Sequence, residues 1–354
     1  MIDRTADAVL PVHGGNHLPS VEVDSYNLEI RDDEGFLGDR ITKASFRDVI
    51  DHLRKLLRKQ GEDPLGDDQT DDLSKKALDK LLAVGEPEAG GVVQSAIEDF
   101  AQELALVIRR FLKLKAWSHT ERLAIGGGFR ASRVGELVIG RAGVILKSEG
   151  LDIELVAIRN EPDAAGLIGA AHLVPSWVLK GHDAILAADL GATNFRVGAI
   201  ELNLKRASNL SKVSLWKFDQ WRHADDKPTR NEAVDELVKM LKKLIARAEE
   251  EGLRLAPFIG VGCPGRIEPN GAIDRGAQNL PGNWESDSFN LPNQVCQPIP
   301  KIGKHETMVL VHNDAVVQGL SEVPFMQDVK RWGILTIGTG LGNARFTNHS
   351  QADD

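Results

Sequence analysis

The sequence predicts an α/β protein of two domains, and three observations carry that prediction. The chain has 354 residues, about two domains at ~150 residues each. Short apolar runs of strand length alternate with longer stretches whose apolar residues recur at helical spacing. Several of the short runs end directly in glycine-rich turns.

Composition narrows the class. At 42% hydrophobic and 27% charged residues, the chain can build sizeable cores without disulfides or a structural metal. Its only cysteines, Cys263 and Cys296, exclude a disulfide framework and an all-cysteine zinc site. The formal net charge of −9 disfavours the phosphate electrostatics of nucleic-acid binding. No run approaches the ~20 apolar residues of a membrane span. Met1-Ile2-Asp3-Arg4-Thr5-Ala6-Asp7 has neither a basic start nor an apolar core, so a secretory signal is not expected and a cytoplasmic location is.

Taken in order, residues 1–40 read as loops and short strands. Phe46, Val49, Ile50, Leu53, Leu56 and Leu57 predict a helix from Ser45, stopped by Gly61. Gly61 to Asp72 is acidic and turn-rich, a surface loop, and Ser74 suits the N-cap of a helix through Leu82. Over 91–115, Val93, Ile97, Phe100, Leu104, Val107, Ile108 and Phe111 form one apolar helical face. A strand at Arg122–Ile125, a helix at Arg133–Glu149 and a strand at Ile153–Ile158 follow. Asp163–Leu173 is a helix of small residues suited to close packing, and Pro175–His182 reads as a linker. Ala184–Asp189, Arg196–Leu202 and Lys212–Phe218 predict an antiparallel meander, followed by an amphipathic helix at Asn231–Glu251. A strand at Phe258–Gly262 leads to Cys263-Pro264-Gly265, and a loop runs from Arg266 to Pro292. Strand Val309–His312 precedes Asn313-Asp314 and a helix to about Leu320. Strand Gly333–Ile337 closes the series.

Three motifs share one chemistry. Ala187-Ala188-Asp189-Leu190-Gly191-Ala192-Thr193-Asn194-Phe195-Arg196 ends a buried strand on an Asp and turns through Gly-x-Thr. Glycine lets backbone N–H groups approach phosphate, Thr offers a hydroxyl, and Asp can hold hydrated Mg²⁺. The plainer reading is a hairpin with an Asp at its corner. Leu335-Thr336-Ile337-Gly338-Thr339-Gly340-Leu341-Gly342 repeats the design, and alone it is an ordinary Gly-rich turn. Leu123-Ala124-Ile125-Gly126-Gly127-Gly128-Phe129 could lie flat against an adenine or ribose, with a helix N-terminus beside it to favour phosphate. Its plainer reading is a tight strand–helix connection.

Together these motifs resemble the actin-like ATPase superfamily, in which two β-hairpins grip the phosphates and a Gly-Gly turn bounds the adenosine. Over nearly its whole length the chain resembles one branch, the glucokinase-like and ROK (repressor, open reading frame, kinase) sugar kinases. Gly260-Val261-Gly262-Cys263-Pro264-Gly265-Arg266-Ile267-Glu268-Pro269-Asn270-Gly271 is similar to the family's sugar-lobe segment. Asn279-Leu280-Pro281-Gly282-Asn283-Trp284 is similar to its Asn-Leu-Pro-x-Trp loop. Val311-His312-Asn313-Asp314-Ala315 is similar to its Asn-Asp-Ala motif, and Glu161 to Ala171 to its closing helix.

The resemblance implies a two-lobed actin-like ATPase (ribonuclease H-like) fold and ATP-dependent phosphorylation of a hexose hydroxyl. ATP and Mg²⁺ are the implied cofactors. A small-molecule sugar and a second copy of the chain are the implied partners, with no nucleic acid and no membrane. Asp189, Gly191, Thr193, Asn194, Gly338, Thr339, Gly340, Gly126, Gly127 and Gly128 would hold the nucleotide, with Asp189 facing Mg²⁺ through water. Asp314 would be the general base, since it follows a buried strand and starts a helix; an N-cap Asp is the alternative. Gly265, Arg266, Asn279, Asn313, His17 and Glu29 would surround the sugar, Arg266 and His17 reading equally well as surface residues.

Two departures qualify the resemblance. The family's Cys-x-Cys-Gly-x-x-Gly-Cys zinc motif is missing, so no zinc site is expected. In Gly14-Gly15-Asn16-His17, the family's Glu-x-Gly-His is matched only at His17, with Gly14 at the Glu position. The motif order also differs: the adenosine and closing-helix segments precede the first phosphate motif. That is the order of a circular permutant, joined through Pro175–His182 and opened in a loop after Gly342, with residues 1–20 lying beside 343–354. The large lobe would be 1–175 with 313–354, and the small lobe 182–312, the closing helix being the segment able to cross to the small lobe. The active-site cleft would lie between the lobes. Competing readings are an amino-sugar or polyphosphate-dependent kinase and a degenerate, non-catalytic sugar- or nucleotide-binding regulator.

Overall fold

The computed structural model describes residues 10–130 and 132–349. The expectations for Met1–Asp7, and the parts of 1–20 and 343–354 beyond these bounds, lie outside the described residues. The elements used below, in chain order, are β1 (Val21–Tyr26), α1 (Lys43–Arg58), α2 (Lys75–Val84), α3 (Pro87–Leu112), β2 (Arg122–Gly126), α4 (Arg133–Ser148), β3 (Glu154–Ala157) and α5 (Pro162–Gly169). They continue with β4 (Ala184–Leu190), β5 (Phe195–Glu201), β6 (Ser214–Trp221), α6 (Arg230–Glu250), β7 (Leu255–Cys263), β8 (Met308–Asn313), α7 (Asp314–Leu320), β9 (Arg331–Ile337) and β10 (Leu341–Asn348). The fold is α/β, with two mixed five-stranded sheets. Among the described residues no helix is long and apolar enough to cross a membrane.

The chain divides into two compact units. One comprises Met1–Asn27, Asp163–Lys330 and Ala344–Asp354; the other comprises Leu28–Pro162 and Arg331–Asn343. This division differs from the expected cut at 10–27, 313–330 and 344–349, while 163–173 is the closing-helix segment expected to be able to cross. Residues 163–175 and 313–330 group with the strands of 184–313, and α5 and α7 pack tightly on each other. A Cβ on Gly169 of α5 would stand 1.7 Å from the Val317 carbonyl oxygen of α7, so the two helices share one packing surface.

In the first unit β4, β5 and β6 form the expected meander, and β7 and β8 add in parallel beside β4, giving the order β8–β7–β4–β5–β6. All of β4 is buried, which suits a central strand. Helix α6 starts at a capping box between Thr229 and Glu232. Its Leu237, Leu241 and Leu244 pack in one core with Ile259 and Val311. The register sets Asp189 against Gly262 and Cys263 against Asn313. Three parallel strands therefore deliver their C-terminal residues side by side, where open α/β sheets bind ligands. In the same unit β1 pairs antiparallel with β10, Val21 opposite Asn348 and Tyr26 opposite Ala344. The expected loop after Gly342 is thus the strand β10, and the expected linker 175–182 holds a helical turn at Ser176–Leu179 with Val178 and Leu179 buried.

In the second unit β2 lies parallel to both β9 and β3, and α1 to α4 share a core with Leu123, Ile125, Leu335 and Ile337. Helix α3 begins earlier than its apolar stripe because Pro87 stands in its first turn, where a missing N–H costs nothing. The loop after α1 is more than a surface excursion. Arg54, fully buried, bonds Asp63, the Thr70 hydroxyl and the Gly66 carbonyl. Burial works to raise the Asp63 pKa, but Arg54 and Arg58 overcome it and hold the carboxyl below its ordinary value.

Candidate active site

Within the first unit a carboxylate cluster forms at the strand ends. Asp189, the penultimate residue of β4, is 3% exposed. Asp314 is the first residue of α7, directly after β8. Gly262 of β7 lies between them: a Cβ there would be 3.5 Å from the Asp314 Cα and 3.6 Å from Asp189 Oδ1.

Burial and the nearby Asp189 carboxylate push the Asp314 pKa up to about 7, against the Ala315 N–H that stabilises its charged form. Asp189 is also raised, by burial first, with Arg196 opposing and Asp163 adding to the shift. The thiol of Cys263 is raised well above its ordinary value, by burial and then by Asp314 and Asp189. A carboxylate poised near neutrality suits a general base.

The N-cap alternative for Asp314 is corrected. Asn313 caps α7, its Oδ1 accepting from Ala315 N at 3.0 Å and Val316 N at 3.3 Å. Its Nδ2 donates to the Gly265 carbonyl at 3.0 Å, and the residue is 1% exposed. An amide has two N–H donors, and the Asn313 side chain also hydrogen-bonds the Asp314 carboxyl, favouring its charged form. The imidazole of His312 behind it is pushed down to a pKa of about 4 by burial. It accepts from Asn313 N and bonds the Gly15 carbonyl.

Arg196 was not among the expected site residues. It pairs with Asp189 across β4–β5, its guanidinium 3.5 Å from Asp189 Oδ2 and 2.7 Å from Asp163 Oδ1. Helix α5 presses on the same carboxylate, since a Cβ on Gly166 would come within 2.8 Å of Asp189 Cγ. The Asp189–Arg196 hairpin register was visible in the motif; the Asp163 partner was not. Replacing Arg196 by Met should cost about 1–3 kcal/mol, because Asp189 is left buried without its cation. A lowered urea midpoint at pH 8 would show it.

The remaining expected residues of this unit are placed as follows. Gly191 N bonds the Asn194 carbonyl at 2.9 Å, closing the turn that carries Thr193, and the Asn194 side chain accepts from Gln220. His223, also unforeseen, holds the Gly191 carbonyl at 2.9 Å. Gly265 must be glycine: its φ is +97° and a Cβ would lie 2.4 Å from the Arg275 oxygen. Arg266 is exposed and spends its charge on Glu268 and Asp274, which fits the surface reading. Asn279 is in an exposed turn. His17 is exposed and bonds Glu22 at 3.0 Å.

The second unit holds the other motifs. Gly338 to Gly340 form the turn after β9, with Thr339 and Gly340 exposed, and the Gly338 carbonyl accepts from Lys43 N. Gly127 has φ +86°, and a Cβ would stand 2.2 Å from the Ile337 oxygen. The strand–helix connection alone therefore requires it. The helix N-terminus expected to favour phosphate is already occupied. Asp79 accepts from Arg133 N and Val134 N, and Ser132 from Gly135 N. The Gly128 carbonyl accepts from Lys75, which lines a cavity of about 40 Å³ with Lys43, Arg47 and Phe46. Glu29 pairs with Arg31 on the surface of this unit.

No family model matches the chain, and no curated protein does. Distant structural likeness exists to ROK proteins and to Ppx/GppA enzymes. The ROK hexokinase of Thermus thermophilus is 22% identical over 45% of this chain and 45% of that one, with a TM-score of 0.33. A ROK family transcriptional regulator, a homologue of the E. coli MLC protein, is 16% identical over 47% of this chain and 37% of that one, at 0.36. The PPX-GPPA enzyme of Aquifex aeolicus is 11% identical over 70% and 87%, at 0.29. The chain thus spans less than half the length of the two ROK structures.

Proposed function

We propose that the chain is an ATP-dependent kinase acting on a sugar hydroxyl, with Asp314 as general base. The observation that carries this reading is the carboxyl of Asp314, raised to about 7 beside Asp189 at the ends of three parallel strands. In the proposed step the sugar oxygen forms a bond to the γ-phosphorus, the bond to ADP breaks, and the hydroxyl proton passes to Asp314. Mg²⁺ would supply neutralisation of phosphate charge. The donor set fits it: two neighbouring carboxylates whose charged forms are disfavoured by burial are stabilised by a cation. Asp189 would hold the ion through water, and Arg196 would fix Asp189. With Gly191 N and Gly338 N closing their turns onto the Asn194 and Gly340 carbonyls, Ala192 to Asn194 and Thr339 with Gly340 would offer backbone N–H groups to phosphate, each within its own unit.

Asn313, bonded to the Gly265 carbonyl and to the Asp314 carboxyl, would hold that carboxyl in position beside the accepting hydroxyl. At the position of the family's sugar-contacting Glu, Gly14 has φ +59°, and a Cβ would lie 2.1 Å from the Ile267 oxygen. No side chain fits there, so preference for glucose does not follow, and N-acetyl hexosamines, mannose and fructose belong in the screen. Support for a circularly permuted order comes from the β1–β10 ladder, which lays residues 21–26 along 344–348, and from His349 N bonding the Ser20 carbonyl.

A coupled assay of ADP release across these sugars tests the reading. Turnover should rise with pH through a pKa near 7 as Asp314 loses its proton. Stability should run the other way. The folded state holds the Asp314 proton up to about 7, while the unfolded chain releases it near ~3.9, so stability declines as pH rises across that window. Asp314→Asn should flatten the decline in thermal melts. Measurable nucleotide binding with no turnover on any sugar would instead identify a non-catalytic binder.

A further inference from the structure

We propose that His17, Glu22 and His349 form a binding site for a divalent transition metal, with zinc as the best match. Their ligand atoms all lie within 4.8 Å of one another. His17 Nδ1 is 3.0 Å from Glu22 Oε2, and His349 Nε2 is 4.0 Å from the same oxygen. In a tetrahedral zinc site with bonds of ~2.0–2.2 Å, donor atoms stand about 3.4 Å apart. The observed separations bracket that value, and the half-exposed side chains need only rotamer adjustments to reach it.

The backbone holds the three residues in place. His17 bridges to Glu22 across a turn in which Leu18 N bonds the Val21 carbonyl. Glu22 lies opposite Thr347 in the β1–β10 ladder, and His349 N bonds the Ser20 carbonyl at 3.2 Å. Two imidazoles with one carboxylate are a zinc donor set. A simple ion pair would need one imidazole, yet the second ring stacks beside the first with centroids 4.7 Å apart. A cavity of about 550 Å³, lined by Val12, Asn16, Pro175 and both histidines, opens beside the cluster and leaves room for a water as fourth ligand.

The site uses neither cysteine and neither nucleotide nor sugar. Its effect on the fold follows from what precedes His17. Gly14 N bonds the Val311 carbonyl, His13 Nδ1 accepts from Val311 N, and the Gly15 carbonyl meets His312. An ion at His17 would therefore pin to the β1–β10 ladder the segment that lies along β8, the strand leading to Asp314.

The test is zinc titration of the tag-free full chain after removal of metal by a chelator. One zinc per chain is expected, with a thermal midpoint that rises on zinc addition. His349→Ala and Glu22→Gln should each weaken binding by about 10–100-fold or more and abolish the zinc-dependent shift. Cys296→Ser should bind like the parent chain. Retention of fold by the two variants is read from their unchanged melts without zinc. Substoichiometric zinc in the parent chain, or equal binding by the parent and both variants, would overturn the proposal.

Discussion

Asp314→Ala is expected to lower phosphoryl transfer by about 10²–10⁴-fold while nucleotide affinity stays near that of the parent chain. The side chain accepts from Ala315 N and is hydrogen-bonded by the Asn313 side chain, but α7 is capped by Asn313, so its removal leaves the helix start intact. Removal also takes away a carboxyl whose charged form is disfavoured by burial and by Asp189, and the variant should fold at least as stably above neutral pH. The measurement pairs ADP release with equilibrium nucleotide binding. A variant that turns over sugar near the parental rate would eliminate Asp314 as the base. One that loses nucleotide binding as well would move its role from proton transfer to holding the ligand.

The second large effect is structural. Gly169→Ala should destabilise the first unit by about 1–3 kcal/mol or more, because its new methyl carbon would fall 1.7 Å from the Val317 carbonyl oxygen and 3.1 Å from Ser321 N. Both are backbone atoms, so no rotamer change relieves the clash and α7 itself must move. At roughly 2–4 °C per kcal/mol, the melting midpoint should fall by several degrees. Turnover should fall too, since α7 begins at Asp314. The control is Gly140→Ala in α4, where a Cβ meets nothing within 4 Å. There the helix preference for Ala over Gly should raise the midpoint slightly. Equal melting of the two variants would contradict the α5–α7 packing.

These two glycines show what the sequence could and could not disclose. The Ala- and Gly-rich run at 163–173 announces close packing, but a composition does not name the surface it packs on. Elements were legible wherever apolar residues repeat: α1, α3, α6 and the meander stand within a few residues of their expected bounds. The positions of Asp189 and Asp314 were legible because the first lies at the end of one apolar strand and the second directly follows another. What escaped were partnerships made at long range. Arg196 meets Asp163 only because α5 folds onto β4, and Asp79 reaches the start of α4 from another helix. Neighbouring Asn and Asp can both cap a helix, so the choice of Asn313 over Asp314 rests on backbone geometry that no spacing rule records.

The β1–β10 ladder also sets a timetable for folding. Val21 finds its partner at Asn348, so this edge cannot zip until the more than 320 residues between them have left the ribosome. The meander and its parallel neighbours, all between Ala184 and Asn313, can assemble well before that. Pairings between such distant residues form late, because the chain loses loop entropy before the contact returns energy. Until then β1 waits with unpaired backbone groups, the state in which a nascent chain most needs protection from pairing with its neighbours.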